Sequence, residues 1–242
     1  MKNFKNKVAL ITGAGSGIGR ALATQLAESG CNLALVDWNE ETLKETEEIV
    51  RKKNVSVSLH PFDLREKEKI ESLPDEIIEI HNQIDVVINN AGLSIIGTVD
   101  EVDEEDWNFG VDILLNAVIQ MSTVFLPYLQ KRPEAAIVNV SSIFGLFSVP
   151  KQSIYNVGKF GVKAFTESLS LEMEMSESPV EVYCVFPGHI VPIYILLLAL
   201  RALKQMTQVL QFLGQKHQQL KRLELNLNRM HLQAQNLLLK QY

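Results

Sequence analysis

The chain has 242 residues, 46% hydrophobic and 21% charged, with a net charge of −6, the composition of a globular domain long enough to bury a sizeable core. The acidic balance excludes nucleic acid as the default partner, because binding phosphates needs a basic face. Two cysteines, Cys31 and Cys184, exclude a disulfide scaffold and fit a reducing, cytosolic compartment, and the five scattered histidines have no zinc spacing.

The start "MKNFKNKVALITG" is basic, but its apolar run is short and leads into glycines. It reads as a first strand, not a signal peptide. "IGRALATQLAESG" reads as a helix closed by Gly30, and "NLALVDW" as a second strand. "NEETLKETEEIVRKKN" is a helix with acids early and bases late, as the helix dipole prefers. "VSVSLHPFD" is a third strand, and "REKEKIESLPDEIIEIHN" a helix interrupted at Pro74. "IDVVINNAG" is a fourth strand, followed by a long helix from about Glu104 through Leu115 to Leu129. "AAIVNVSS" is a fifth strand, "SIYNVGKFGVKAFTESLSLEME" a helix and "VEVYCVFPG" a sixth strand.

Strands that are near-continuous Val/Ile/Leu runs, alternating with amphipathic helices, predict an α/β fold: a doubly wound parallel sheet covered on both faces. Ligands in such folds bind beyond the carboxyl ends of the strands. "TGAGSGIG", "VDW", "FDL", "NNAG", "VSS" and "FPG" all fall there.

"TGAGSGIG", Thr12 to Gly19, departs from G-x-G-x-x-G but has glycines at Gly13, Gly17 and Gly19 where a strand turns into a helix. Such a turn lets backbone approach a pyrophosphate at a helix N-terminus, although a glycine-rich turn without a ligand looks the same. Asp37 ends the second strand 18 residues after Gly19. Its carboxylate can accept both ribose hydroxyls of an adenosine and would repel a 2′-phosphate. Trp38 follows it rather than a base, so NAD is favoured over NADP. The competing role for Asp37 is a helix N-cap, for which Asn39 also qualifies.

With these residues in place the chain resembles the short-chain dehydrogenase/reductases, from about Lys7 to Ile190. "TGAGSGIG" matches the family's TGxxxGxG, "NNAG" (Asn89 to Gly92) its strand-four signature, and "YNVGK" its YxxxK. Ser142 stands thirteen residues before Tyr155, where the family places its catalytic serine, and Pro187–Gly188 matches the end of strand six. The resemblance implies that Gly13, Ser16, Ile18 and Gly19 cradle the cofactor and that Asp37 binds its adenosine ribose. It implies that Asp63 and Leu64 flank the adenine, that Asn90, Ala91 and Gly92 line the middle, and that Pro187, Gly188 and Ile190 border the nicotinamide. It further implies a homodimer or homotetramer.

Tyr155 and Lys159 stand at i and i+4, one helical face. Such pairs are common, and this one is identified by its company. A tyrosine has a pKa of about 10, and lowering it three units needs about 4 kcal/mol of phenolate stabilisation. The Lys159 ammonium can supply part of this and can also hold the nicotinamide ribose. Ser142, at a strand end, can donate to the substrate oxygen, and strand alternation points its neighbour Ser141 elsewhere. The expected reaction is hydride transfer between a nicotinamide and a small-molecule alcohol or carbonyl, with Ser142, Tyr155 and Lys159 as the catalytic residues.

Two features depart from the family. Its helix-four asparagine, which holds a proton-relay water, falls at Leu114. Asn116 lies roughly 200° around the helix. The expectation is a slow or inactive enzyme, the alternative being a dinucleotide-binding protein that acts through its tail. The second departure is the tail itself. Residues 1–192 form the dinucleotide-binding region, with 16 basic and 28 acidic side chains. Residues 193–242 carry 7 basic and 1 acidic, with 15 leucines and 9 glutamines. They read as helix, with Pro192 near the position of a family threonine. Four readings compete for the tail: a basic amphipathic helix on a membrane surface or partner, a weak heptad (Met206, Leu213, Leu220, Leu227), a segment repacked on the sheet edge, and a shifted reading frame.

Overall fold

The computed structural model describes residues 3–188. The tail 193–242 lies outside them, as do His189, Ile190 and Pro192, so the readings made of those residues stay expectations. Six strands form one sheet: β1 (Val8–Thr12), β2 (Asn32–Asp37), β3 (Val57–Pro61), β4 (Val86–Asn89), β5 (Ala135–Val140) and β6 (Val180–Val185). Every neighbouring pair is parallel, in the order β3-β2-β1-β4-β5-β6. The doubly wound α/β fold expected from the alternation is the fold observed.

β1, β4 and β5 are buried along their whole length, which is why they read as unbroken apolar runs. Alternation divides the core in two. Val8, Leu10 and Val36 face one layer with Ile70, Leu73, Ile77 and Phe125. Ala9, Ile11 and Leu35 face the other with Ala23, Leu26, Leu43 and Val50. The helices that supply these layers are α1 (Gly17–Glu28), α2 (Glu40–Arg51), α3 (Lys67–His81), α4 (Glu104–Val111), α5 (Ala117–Leu129) and α6 (Ser153–Met175). The winding reverses between β1 and β4, and a crevice opens at the carboxyl ends of those strands, as doubly wound sheets require.

Two helices differ from expectation. α3 runs through Pro74 without interruption. Pro74 is buried on the stripe that also carries Ile70, Leu73 and Ile77, and burial of that stripe outweighs the roughly 3 kcal/mol that an interior proline costs. The long helix from Glu104 to Leu129 is present, but a π-helical turn at Asp112–Asn116 joins α4 to α5. Such widened turns gather at functional sites. Leu114, on this turn, is fully buried. A Cβ on Gly158 of α6 would stand 2.6 Å from Leu114 Cβ, so glycine there is what lets α6 approach.

A buried amide chain ties the strand ends together below the crevice. The Asn89 side-chain amide donates to Ser122 Oγ (3.0 Å) and Asn139 Oδ1 (2.8 Å), and the Asn139 amide donates to Thr166 Oγ1 (3.0 Å). β4, α5, β5 and α6 are thereby fixed to one another where the signature residues begin.

Candidate active site

The turn after β1 is made by Gly13 and Gly17, at φ +65° and +51°, backbone conformations that favour glycine. Ser16 is the N-cap of α1 but makes no side-chain capping bond, which leaves the first amides of α1 for another acceptor. The turn borders a cavity of about 680 Å³. Of the predicted cofactor residues, Gly13, Ser16, Ile18, Asp37, Asp63, Leu64, Asn90, Ala91 and Gly92 line it. Gly19 acts beneath it, since a Cβ there would fall 2.0 Å from Gly13 O. A Cβ on Gly17 would meet nothing within 4 Å. An open face on the turn beside uncapped amides fits the pyrophosphate of a dinucleotide.

Thr12 and Asn90 lock this turn to β4. Thr12 Oγ1 accepts from the N–H groups of Asn90 and Ala91, both at 3.0 Å, and the Asn90 amide donates to Thr12 O at 3.0 Å. Asp37 accepts from Gly15 N–H (2.8 Å) and Asn39 N–H (3.0 Å). It does not cap α2; Asn39 does, accepting from Thr42 N–H at 3.1 Å. Arg20 ties the turn to α2, donating to Gly15 O as well as to Thr46 Oγ1 (3.0 Å) and Thr42 O (3.1 Å) and pairing with Glu45 (2.7 Å).

The cavity also takes residues that no motif marks, among them Arg65, Phe109 and Ile113. Arg65 grips Asp63, with Nη2 2.6 Å from Oδ2, and its guanidinium lies 4.7 Å over the Phe109 ring. The bonds from Arg65 hold the Asp63 carboxyl below its ordinary range. Phe62 and Trp38 are additions with a sequence signal, beside Asp63 in "FDL" and Asp37 in "VDW"; Trp38 lines the cavity while 79% exposed.

Lys159 is buried in α6, and its ammonium donates to Val140 O at 2.8 Å. Burial pushes its pKa down to about 8. The same ammonium lies 5.7 Å from the Tyr155 ring centroid. Ser141 and Ser142 diverge as alternation predicts. Ser141 Oγ donates to Lys159 O (2.8 Å), whereas Ser142 caps a short 3₁₀ turn, Ile143–Gly145, accepting from Phe144 N–H (3.2 Å). The Phe144 ring meets Tyr155 edge-on with centroids 6.4 Å apart. Ile143 N–H donates to Pro187 O (3.0 Å), which brings Pro187 and Gly188 alongside.

Leu114 occupies the place next to this group. A Cβ on Gly92 would stand 3.5 Å from Leu114 Cδ2 and 3.5 Å from Lys159 Nζ. Asn116 is exposed and donates to Asp112 Oδ1 at 2.7 Å, facing away as its helical angle predicts. Among the described residues no cluster of His, Cys, Asp and Glu is arranged to hold a metal ion.

Residues 7–192 match the family model described as short chain dehydrogenase. The SadH protein of Mycobacterium tuberculosis, named provisionally as an oxidoreductase, is 40% identical over 190 residues, 78% of this chain and 69% of that protein. The CLA biosynthesis dehydrogenase/reductase of Lactiplantibacillus plantarum is 31% identical over 191 residues, 78% and 67% of the two chains. A short-chain dehydrogenase/reductase from Burkholderia phymatum, solved in complex with NAD, superposes with a TM-score of 0.76 at 32% identity, over 78% of this chain and 68% of that one. NAD⁺-bound xylitol dehydrogenase superposes with a TM-score of 0.74 at 29% identity, over 79% and 73%. Fold, signature residues and these relatives agree: the chain belongs to the short-chain dehydrogenase/reductase family of oxidoreductases.

Proposed function

We propose that this chain uses NAD to interconvert a small-molecule alcohol and the corresponding ketone or aldehyde. The observation that carries the reading is the seating of Lys159. Its ammonium stands 5.7 Å from the Tyr155 ring and reaches Gly92, a wall of the cavity. Gly92 thus joins the cavity to Lys159, although Ser142, Tyr155 and Lys159 are not themselves among the lining residues. When bound there, a nicotinamide dinucleotide supplies the hydride donor or acceptor.

Tyr155 gives its phenolic proton to the carbonyl oxygen, or takes the alcohol proton in the reverse direction. Lys159 favours the phenolate. Ser142 accepts from Phe144 N–H, which leaves its own O–H to donate to the substrate oxygen.

The preference for NAD over NADP rests on Asp37, whose carboxylate lines the cavity and would repel a 2′-phosphate, and on Arg20, whose donors are taken up by Gly15 O and α2. The NAD bound in the two structural neighbours supports it. A second reading, a dinucleotide-binding protein with impaired turnover, is favoured by one observation, the apolar Leu114 beside Lys159. Homo-oligomer formation is proposed from the outer stripe of α6, where Val157, Phe160, Leu171 and Met175 are exposed on one face. A cytoplasmic location is proposed from the cysteine usage. Titration with NADH and with NADPH, followed by turnover on a panel of ketones, tests the reading. Tighter NADH binding with measurable turnover supports it; binding without turnover moves the assignment to the second reading.

A further inference from the structure

We propose that the substrate is uncharged and carries an apolar chain or ring, which packs on a wall built from Phe144, Leu146, Phe147 and Ile96. This rests on the oxidoreductase reading, because it places the wall beside Tyr155 and Ser142. The segments "NNAGLSIIGTV" (89–99) and "SSIFGLFSVP" (141–150) contain no charged side chain, in a chain that is 21% charged. A carboxylate or phosphate on the substrate finds no counter-ion in either segment, and an anion without one is costly to desolvate.

Local geometry fixes the wall. Ser142 accepts from Phe144 N–H, which sets Phe144 directly after the proposed catalytic hydroxyl. The Phe144 ring lies edge-on to Tyr155, centroids 6.4 Å apart, and edge-on to Phe147 at 5.6 Å. The aromatic surface thus begins at the proton donor and runs outward. Phe147 and Leu146 are 51% and 53% exposed. The second segment is tied down just before the helix that carries Tyr155. Gly97 bridges to Gln152, and its N–H donates to Lys151 O at 3.0 Å, just ahead of Tyr155. Ile95 is turned inward, 3.3 Å from the Cβ position of Gly110. Its neighbour Ile96 is 71% exposed. The Gly97 tie holds the loop of Ile96 against the residues just ahead of Tyr155, and an apolar substrate body would cover the exposed Leu146, Phe147 and Ile96.

The test uses the full chain, NADH and a series of 2-alkanones from butanone to decanone, with a keto acid of matched length as the charged comparison. The proposal predicts that kcat/KM rises about three- to fourfold per added methylene over the first few carbons, the factor expected for burying a methylene. It predicts that the keto acid is the poorer substrate. Phe147→Ser and, separately, Leu146→Ser flatten the dependence on chain length; both side chains are half exposed, so neither change opens the core. A flat series, or preference for the keto acid, overturns the proposal and leaves the oxidoreductase reading standing. If no member is turned over, binding of the corresponding 2-alkanols to the NADH-loaded protein, read by NADH fluorescence, decides. Affinity that climbs with chain length then keeps the apolar wall while the oxidoreductase reading falls, and affinity that does not climb sinks both.

Discussion

Leu114 and Lys159 converge on Gly92: Cδ2 of one and Nζ of the other are both 3.5 Å from the point where a Cβ on Gly92 would stand. A buried ammonium thus has an apolar side chain in the place where a polar one would carry water. Leu114→Asn is expected to raise kcat at least tenfold, within the about 10²–10⁴-fold span of positioned proton-transfer groups, with NADH affinity unchanged. Because Leu114 is fully buried, the same change should cost about 1–3 kcal/mol of stability. Steady-state kinetics and a thermal melt of the variant read both effects, and an unchanged kcat would show that Leu114 does not limit the rate.

The desolvated Lys159 sets a pH limit. In the proposed reaction the charged ammonium supports proton transfer by Tyr155, and it is lost as pH rises through about 8. Alcohol oxidation should therefore fall on the alkaline side with an apparent pKa near 8. Leu114→Asn, by solvating the ammonium, should move that limb upward. For stability the sign is opposite. The folded value lies below the ordinary 10.5, so the folded state sheds this proton first and gains stability as pH climbs from about 8 towards 10.5. A pH–rate profile of wild type and variant checks the limb.

Two glycines of the turn separate folding from binding. Gly19→Ala places a methyl 2.0 Å from Gly13 O and should destabilise the fold by about 3 kcal/mol, the scale of severe overpacking. Gly17→Ala meets no neighbour but must hold φ +51°, a strain of about 1 kcal/mol. It should fold, yet lose NADH affinity at least tenfold, because its methyl would stand on the open face of the turn where the pyrophosphate is proposed to sit. Thermal melts paired with NADH titrations distinguish the two outcomes.

Acid should loosen the β3 edge. Ser58 Oγ lies 2.9 Å from Nε2 of both His60 and His81, and Glu76 Oε2 lies 3.4 Å from His60 Nδ1. Burial pushes both imidazoles below the ordinary 6.5; His60 lowers His81 further, and Glu76 opposes the shift at His60. Folded values below the unfolded one mean that this stability is present above about 6.5 and is lost as pH falls through the lowered values. The melting temperature should drop on acidification below that point. His81→Gln, which keeps a donor for Ser58 without titrating, should make the drop shallower; equal slopes would count against the histidine pair.

Much of this was legible in the sequence, because parallel strands covered on both faces leave unbroken apolar runs and glycine turns leave a spacing. β1, Gly13, Gly17 and Asp37 are fixed by such local rules. Pro74 misled because proline's local cost is visible in sequence, whereas the tertiary burial that outweighs it is not. The π turn at Leu114 leaves no composition signal, since its extra residue is accommodated by packing on Gly158. Arg65 and Phe109 are 44 positions apart, and only the fold brings the guanidinium over the ring.

The most direct test of the account is NADH-dependent turnover of an apolar ketone by wild type and by Tyr155→Phe, with NADH affinity measured on both. The account predicts a loss of at least about 10²-fold in kcat with affinity unchanged. A Tyr155→Phe protein as active as wild type, or a wild type that binds NADH yet reduces nothing even as Leu114→Asn, would contradict it.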